Sequence, residues 1–280
     1  MTDWFCETLY PDVGQRFQVS KVVHRIKTEH QDLVIFETPV FGRVLALDGV
    51  IQVTEKDEFI YHEMMTHVPM VAHGRAKEVL IVGGGDGGIL REALRHDVAR
   101  VTMVEIDRAV VDLSREWFPQ VSAGAFDDRR FDLVIADGMK FVAETDRRFD
   151  VIIVDSTDPQ GPGEVLFTVP FYTACKRCLN PGGVMTLQNG VPFFQADELT
   201  MVHRRLKPLF ADTSCYVAAI PSYYGGFMAL GWATDDKSLR QPKPELVKER
   251  ASRLKQTRYY SPELHQAAFQ LPRFVAKLLN

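Results

Sequence analysis

The chain has 280 residues, 46% hydrophobic and 25% charged, with a formal net charge of −4 at pH 7. That composition belongs to an ordinary globular protein with a substantial core. It carries no basic tract of the kind nucleic acid demands, and its apolar runs are strand-length, far short of a membrane span. Met1-Thr2-Asp3-Trp4 is a polar, acidic start without an apolar leader stretch, which predicts a cytoplasmic protein.

Taken in chain order, residues 17–53 read as strands broken by turns. Residues 19–26 alternate, 33–36 are apolar, 41–45 follow Pro39, and Asp48-Gly49 is a hairpin signal before 50–53. A helical stretch over about residues 55–70 joins this antiparallel unit to the rest. From Lys77 the rhythm becomes strand, helix, strand, helix, with strands at 79–82, 101–104, 133–136, 151–154 and 184–188. Helices are expected from Ile89, over 108–117, at 139–143 and around 171–179. The runs 214–220 and 227–233 have no long crossover between them and predict an antiparallel closing pair. The expected fold is α/β: a Rossmann-like seven-stranded sheet of methyltransferase type with a small N-terminal antiparallel β domain. The division falls at 1–66 and 67–280, and the charged, proline-containing tail beyond Asp235 wraps the surface as short helices.

Four acids sit where four successive strands should end: Asp86, Glu105, Asp137 and Asp155. Ligands of open α/β sheets bind beyond these strand ends. Gly83, Gly85 and Gly88 satisfy G-x-G-x-x-G between strand and helix, and Glu105 has the spacing of an acid that grips ribose hydroxyls. Enzymes using NAD, FAD or S-adenosylmethionine share such a loop, and Asp86 discriminates among them. At about 4 Å and an effective dielectric of about 20, like charges repel by about 4 kcal/mol. A pyrophosphate is therefore disfavoured, whereas an ammonium or sulfonium is attracted. Asp86 would also repel the carboxylate of S-adenosylmethionine and suit its decarboxylated form. Asp137-Gly138 reads either as an adenine-edge site or as a helix N-cap.

Asp155 and Asp158 lie three apart, with Pro159 holding Asp158 extended. The Gly/Pro-containing segment 159–163 after them has the character of a lid over a diamine site. Other signals carry less. His62 and His67 are five apart, not the four of a zinc-protease helix. Cys175 and Cys178 lie in a predicted helix without a second ligand pair, so no metal is expected. Ser156 lacks a nucleophile-elbow sequence. Phe193, Phe194 and Phe210 read as core or subunit contacts.

The run from Val79 through Gly83-Gly84-Gly85-Asp86-Gly87-Gly88 to Glu92 resembles, without a break, the glycine-loop signature of the spermidine synthases, especially the bacterial ones. Asp155-Ser156-Thr157-Asp158-Pro159 resembles the catalytic loop of these polyamine aminopropyltransferases. Leu47-Asp48-Gly49-Val50-Ile51-Gln52 and Ile220-Pro221-Ser222-Tyr223-Tyr224-Gly225-Gly226 are similar too. The resemblance implies transfer of an aminopropyl group from decarboxylated S-adenosylmethionine to putrescine, with methylthioadenosine leaving. Cadaverine, agmatine and spermidine are the other acceptors that channel length could select. It implies Asp155 as catalytic base, and Glu105, Asp137, Gly138, Gln31 and Pro162 around the nucleoside. Asp86 would hold the aminopropyl amine, and Tyr61, His62, Asp158 and Tyr223 would line the amine channel. His62 stands where some other members carry glutamine. No cofactor is implied, because the donor is a co-substrate. A homodimer or dimer of dimers follows from the same resemblance, as does the absence of nucleic-acid and membrane partners. The residues themselves leave three rivals: a putrescine methyltransferase, an NAD dehydrogenase and a silent polyamine-binding protein.

Overall fold

The computed structural model describes residues 3–159 and 161–280, with the side chain of Pro162 outside the description. The chain opens with a hairpin that the polar start did not suggest, β1 (Asp3–Cys6) antiparallel to β2 (Arg16–Val19). A four-stranded antiparallel sheet follows in sequence order: β3 (Lys21–Lys27), β4 (Asp32–Thr38), β5 (Gly42–Leu47) and β6 (Val50–Thr54). The alternating stretch expected as one strand over 19–26 is thus two. The chain changes partner at Ser20, whose N–H turns to the Glu37 carbonyl. Strand β4 is buried on both faces. Its Val34 and Phe36 pack with Phe17 under the hairpin, while Leu33 and Ile35 meet Val110 and Phe118 of the larger unit.

Helix α1 (Glu58–His73) is buried along nearly its whole length and ends on Gly74, whose left-handed backbone lets its N–H cap the Met70 carbonyl. Then come β7 (Glu78–Gly83), α2 (Gly88–Leu94), β8 (Arg100–Glu105), α3 (Arg108–Trp117), α4 (Pro119–Ser122), β9 (Phe131–Ile135), α5 (Gly138–Glu144) and β10 (Phe149–Asp155). After these run α6 (Val169–Cys178), β11 (Leu179–Gln188), α7 (Ala196–Leu206), β12 (Asp212–Ala218) and β13 (Met228–Thr234). The tail carries α8 (Pro244–Ala251), α9 (Pro262–Ala267) and α10 (Arg273–Lys277), short helices as expected.

The seven-stranded sheet has the order β12-β13-β11-β10-β7-β8-β9, parallel except where β13 pairs antiparallel with β11 and β12. Strand alternation divides its core into two layers. Val79, Ile81, Val151 and Ile153 face α1 and α2, whereas Leu80, Val82, Ile152 and Val154 face α5, α6 and α7. Strand β11 begins five residues before the expected Val184. Phe149 pairs with Leu179 and Val151 with Val184, so Asn180-Pro181-Gly182-Gly183 forms a bulge inside the ladder, tied by Asn180 to the Asp150 carboxylate at 2.8 Å. No helix among the described residues is long and apolar enough to cross a membrane.

Candidate active site

Chain order reverses between β7 and β10, the neighbours from which the sheet winds outward in both directions. This is the switch point, and a crevice must open at its carboxyl end. There Asp155, the last residue of β10, pairs with Gly83, the first of the glycine loop. Gly83 has φ +83°, and a Cβ on it would lie 2.0 Å from the Asp155 carbonyl oxygen. Only glycine permits that approach.

A cavity of about 390 Å³ fills the crevice. Gln31, Tyr61, His62, Asp86, Glu105, Asp137, Gly138, Asp155, Asp158 and Tyr223, each singled out from the sequence, line it together. Pro162 falls outside the described side chains.

Glu105 is buried, and its Oε1 accepts the Asp107 N–H at 2.9 Å. Burial, with Asp107 nearby, pushes its carboxyl up to about 7 against the hydrogen bonds of the Asp107 and Ile106 amides. Gln31 reaches the site from the N-terminal sheet, its Nε2 donating to Asp107 Oδ2 at 3.0 Å beside Thr28 at 2.7 Å. Asp137 is the helix N-cap that one of its two readings expected. It caps α5 by accepting the Lys140 N–H at 3.1 Å, and it also lines the cavity.

Asp155 accepts the Tyr61 hydroxyl at 2.6 Å. Burial and the neighbouring Asp86 charge lift it to about 7, against the pull of Tyr61 and His62. Asp86 goes the other way. Burial opposes its charge, but His62 and the Gly88 amide, which donates to Oδ1 at 2.6 Å, hold it below the usual carboxylate range. Tyr223 packs edge-on against Tyr61 with ring centroids 6.0 Å apart and donates its hydroxyl to the Gln52 carbonyl. Asp158 accepts Gln195 Nε2 at 2.7 Å.

The structure adds residues that the sequence reading passed over. Glu7, Tyr10, Gln188 and Gln195 line the far end of the cavity. The Tyr10 hydroxyl donates to Gln195 Oε1 at 2.9 Å, and Gln195 Nε2 also reaches Glu198 at 3.1 Å. A signal for part of this was present. Leu199, Val202 and Leu206 recur at helical spacing, and Gln195 stands at the N-cap position of α7 with its side chain turned to the cavity. The two histidines of α1 serve different sides: His62 meets Glu58 and Asp86, while His67 meets Glu92 and His96. Cys175 and Cys178 are buried thiols in the core beneath α6, where Phe210 also packs; Phe193 remains 68% exposed.

Sheet order, glycine loop and acidic strand tips define a Rossmann-like α/β protein with an acid-lined crevice at its switch point. The chain belongs to the spermine/spermidine synthase family: residues 58–242 match the spermine/spermidine synthase domain and residues 3–55 the spermidine synthase tetramerisation domain. It is 56% identical over 276 residues to a polyamine aminopropyltransferase of Klebsiella pneumoniae (strain 342), covering 98% of this chain and 96% of that one. A Salmonella typhimurium protein of the same description is 57% identical over 277 residues, with the same coverage. A solved spermidine synthase in complex with the transition-state analogue AdoDATO superposes with TM-score 0.93 at 40% identity, covering 99% of this chain and 94% of that one. Spermidine synthase from Thermotoga maritima gives 0.90 at 38%, covering 99% and 93%.

Proposed function

We propose that this protein is a polyamine aminopropyltransferase that moves the 3-aminopropyl group of decarboxylated S-adenosylmethionine to putrescine, giving spermidine and methylthioadenosine. The observation that carries the reading is Asp155, paired with the first glycine of the loop and hydrogen-bonded to Tyr61 inside the acidic cavity. The sulfonium is already a good leaving group and needs little acid catalysis. The nucleophile is the obstacle. By analogy with lysine, an alkylammonium titrates near 10, so freeing its lone pair at pH 7 costs about 4 kcal/mol. Asp155 takes that proton, the amine nitrogen attacks the carbon next to sulfur, and the C–S bond breaks to release neutral methylthioadenosine.

A carboxyl lifted to about 7 suits such a base, since a good part of it is ionised near neutral pH and it is basic enough to accept the proton. Glu105 takes the ribose hydroxyls, and Asp137 with Gly138 the adenine edge; Gln31 and Pro162 complete that pocket. Asp86 takes the donor's ammonium. Tyr61, His62, Tyr223 and Asp158 line the acceptor's path. In this reading residues 67–280 supply the acids that bind the donor and take the proton, residues 1–66 add Gln31, Tyr61 and His62 to the site, and their sheets hold subunits together. The match of residues 3–55 to a tetramerisation domain supports that assignment. The cytoplasm, where both substrates would be met, is the proposed location.

Purified protein given decarboxylated S-adenosylmethionine and a panel of amines tests the reading, with methylthioadenosine measured as product. Formation of methylthioadenosine dependent on putrescine is expected. Methylated amine formed from S-adenosylmethionine instead would overturn it in favour of the methyltransferase rival.

A further inference from the structure

From the site a buried row of alternating charges runs backward, Asp86, His62, Glu58 and Arg91, of which Asp86 and His62 line the cavity while Glu58 and Arg91 stand behind it. We infer that Glu58 is a positioning residue: it holds the His62 ring doubly protonated against Asp86, which keeps Asp86 ionised for the donor's ammonium and leaves Asp155 as the carboxyl that takes up and releases the proton. This rests on the reading of Asp86 as the donor-amine site.

The geometry makes the case. His62 Nδ1 lies 2.6 Å from Glu58 Oε2, and its Nε2 lies 3.3 Å from Asp86 Oδ1. Ionised carboxylates only accept hydrogen bonds, and a neutral imidazole has one N–H and one lone pair. One of the two contacts would then set a lone pair against a carboxylate, so only the imidazolium satisfies both.

The ring is confined, because it is 2% exposed and packs against Gly88, the first residue of α2. A Cβ on Gly88 would fall 2.1 Å from Nδ1. Glu58 is fixed in turn by a forked pair with Arg91, Nη1 to Oε1 at 3.2 Å and Nη2 to Oε2 at 2.9 Å, and Arg91 also holds Glu92 at 2.7 Å. Both described contacts of Asp86, from His62 and from the Gly88 amide, fall on Oδ1, which leaves Oδ2 for a ligand.

The other titratable neighbours of the ring are Tyr61, with ring centroids 5.6 Å apart, and Tyr223 and Asp57, which share a small cavity of about 10 Å³ with His62 and Glu58. Asp57 is occupied by Thr54 at 2.6 Å and by Ser222 at 2.7 and 3.1 Å. Asp155 also feels the imidazolium, across the loop. Titration follows the geometry. Burial alone would lower His62, but Asp86 and Glu58 together raise it to about 10. The imidazolium thus decides which of two neighbouring carboxylates gives up its proton, the arrangement that separates charge-holder from base in paired-acid sites.

The test measures affinity for decarboxylated S-adenosylmethionine and for methylthioadenosine, which lacks the ammonium, by calorimetry at pH 6, 7 and 8. Native protein is compared with Glu58→Gln, His62→Gln, the double variant and Asp86→Asn. NMR of the labelled imidazole reports the charge of His62 directly. The expected result is an imidazolium from pH 6 to 8 in the native protein that titrates within that window in Glu58→Gln. Donor affinity in Glu58→Gln should follow the His62 titration between pH 8 and 6, a dependence that the native protein, with its imidazolium charged throughout, lacks. Methylthioadenosine affinity should be unmoved. The double variant should be no worse than His62→Gln alone, since Glu58 acts through the ring. A native His62 that titrates near its ordinary value, or a Glu58→Gln protein with native pH behaviour, overturns the inference. His62→Gln approaches the same question from the other partner, should Glu58→Gln fail to fold. If Asp86→Asn leaves donor affinity unchanged, the donor-amine assignment itself fails, and the two failures are told apart.

Discussion

The two ends of the cavity are built from the same residue type and reach opposite states. At the glycine-loop end the protein supplies its own cation. His62 stands against Asp86, and Asp86 is held charged although it is buried. At the far end Glu7, Asp158 and Glu198 gather around neutral donors. Glu7 has Gln15 at 3.0 Å and the Ile51 amide at 2.8 Å, and Asp158 and Glu198 share Gln195. Burial raises all three, Glu198 to about 8. A buried carboxyl without a cation is pushed up, because neutral hydrogen bonds do not fully repay the desolvation of the charge. One end therefore carries a cation of its own beside Asp86, and the other offers its carboxyls to a cation from outside.

The largest effect should come from Asp155→Asn, which removes the base and should lower turnover by about 10² to 10⁴. Methylthioadenosine affinity should survive in that variant, and near-native turnover would take Asp155 out of the role. The pH profile comes next. Asp155 is lifted to about 7, so it carries its proton below that and is a base above it; turnover should fall about tenfold per unit as pH drops below about 7. A profile flat to pH 5.5 would contradict the lifted carboxyl.

Asp158→Asn addresses the far end. A hydrogen bond to a charged group contributes about 1.5–3 kcal/mol, so putrescine KM should rise about tenfold to a hundredfold with kcat little changed. The monoamine n-butylamine should barely notice. Equal losses for both amines would erase the distinction between the two ends. Glu105→Gln should weaken methylthioadenosine by about tenfold in direct binding, again the loss of a charged acceptor.

The smallest effect is on stability. With its pKa raised in the folded state, Asp155 binds more protons folded than unfolded between about pH 4 and 7, so its contribution to stability declines as pH rises through that range. Asp155→Asn should then melt a few degrees higher than the native protein at pH 8, and no higher at pH 4, in a thermal scan.

Much of this was legible in the chain. The strand ends after residues 82, 104, 136 and 154 were readable from apolar runs stopped by glycine or acid, and each lies within a residue or so of its observed end. The all-apolar runs of β7 and β10 marked buried strands, but which residue faces which core layer came with the structure. The far end of the cavity was less visible. Gln195 and Glu198 sit at and inside the start of α7, whose apolar residues Leu199, Val202 and Leu206 are interspersed with polar ones and preceded by no Ser, Thr, Asp or Asn cap. Tyr10 and Glu7 come from the connection between β1 and β2 of the unexpected hairpin, 185 positions from Gln195 in the case of Tyr10. No local pattern encodes a contact of that separation.

By itself the sequence determined which residue types stand at the strand ends, because chain periodicity and turn chemistry act over a few residues at a time. It also determined that the site would be acidic. Only the tertiary structure decided what each acid does with its proton. That depends on burial and on the nearest cation, and those come from distant segments brought together: Arg91 and Glu58 behind His62 at one end, and uncharged Gln195 and Tyr10 at the other. Charge is counted along the chain, but its energy is set by the medium and the distances that folding creates.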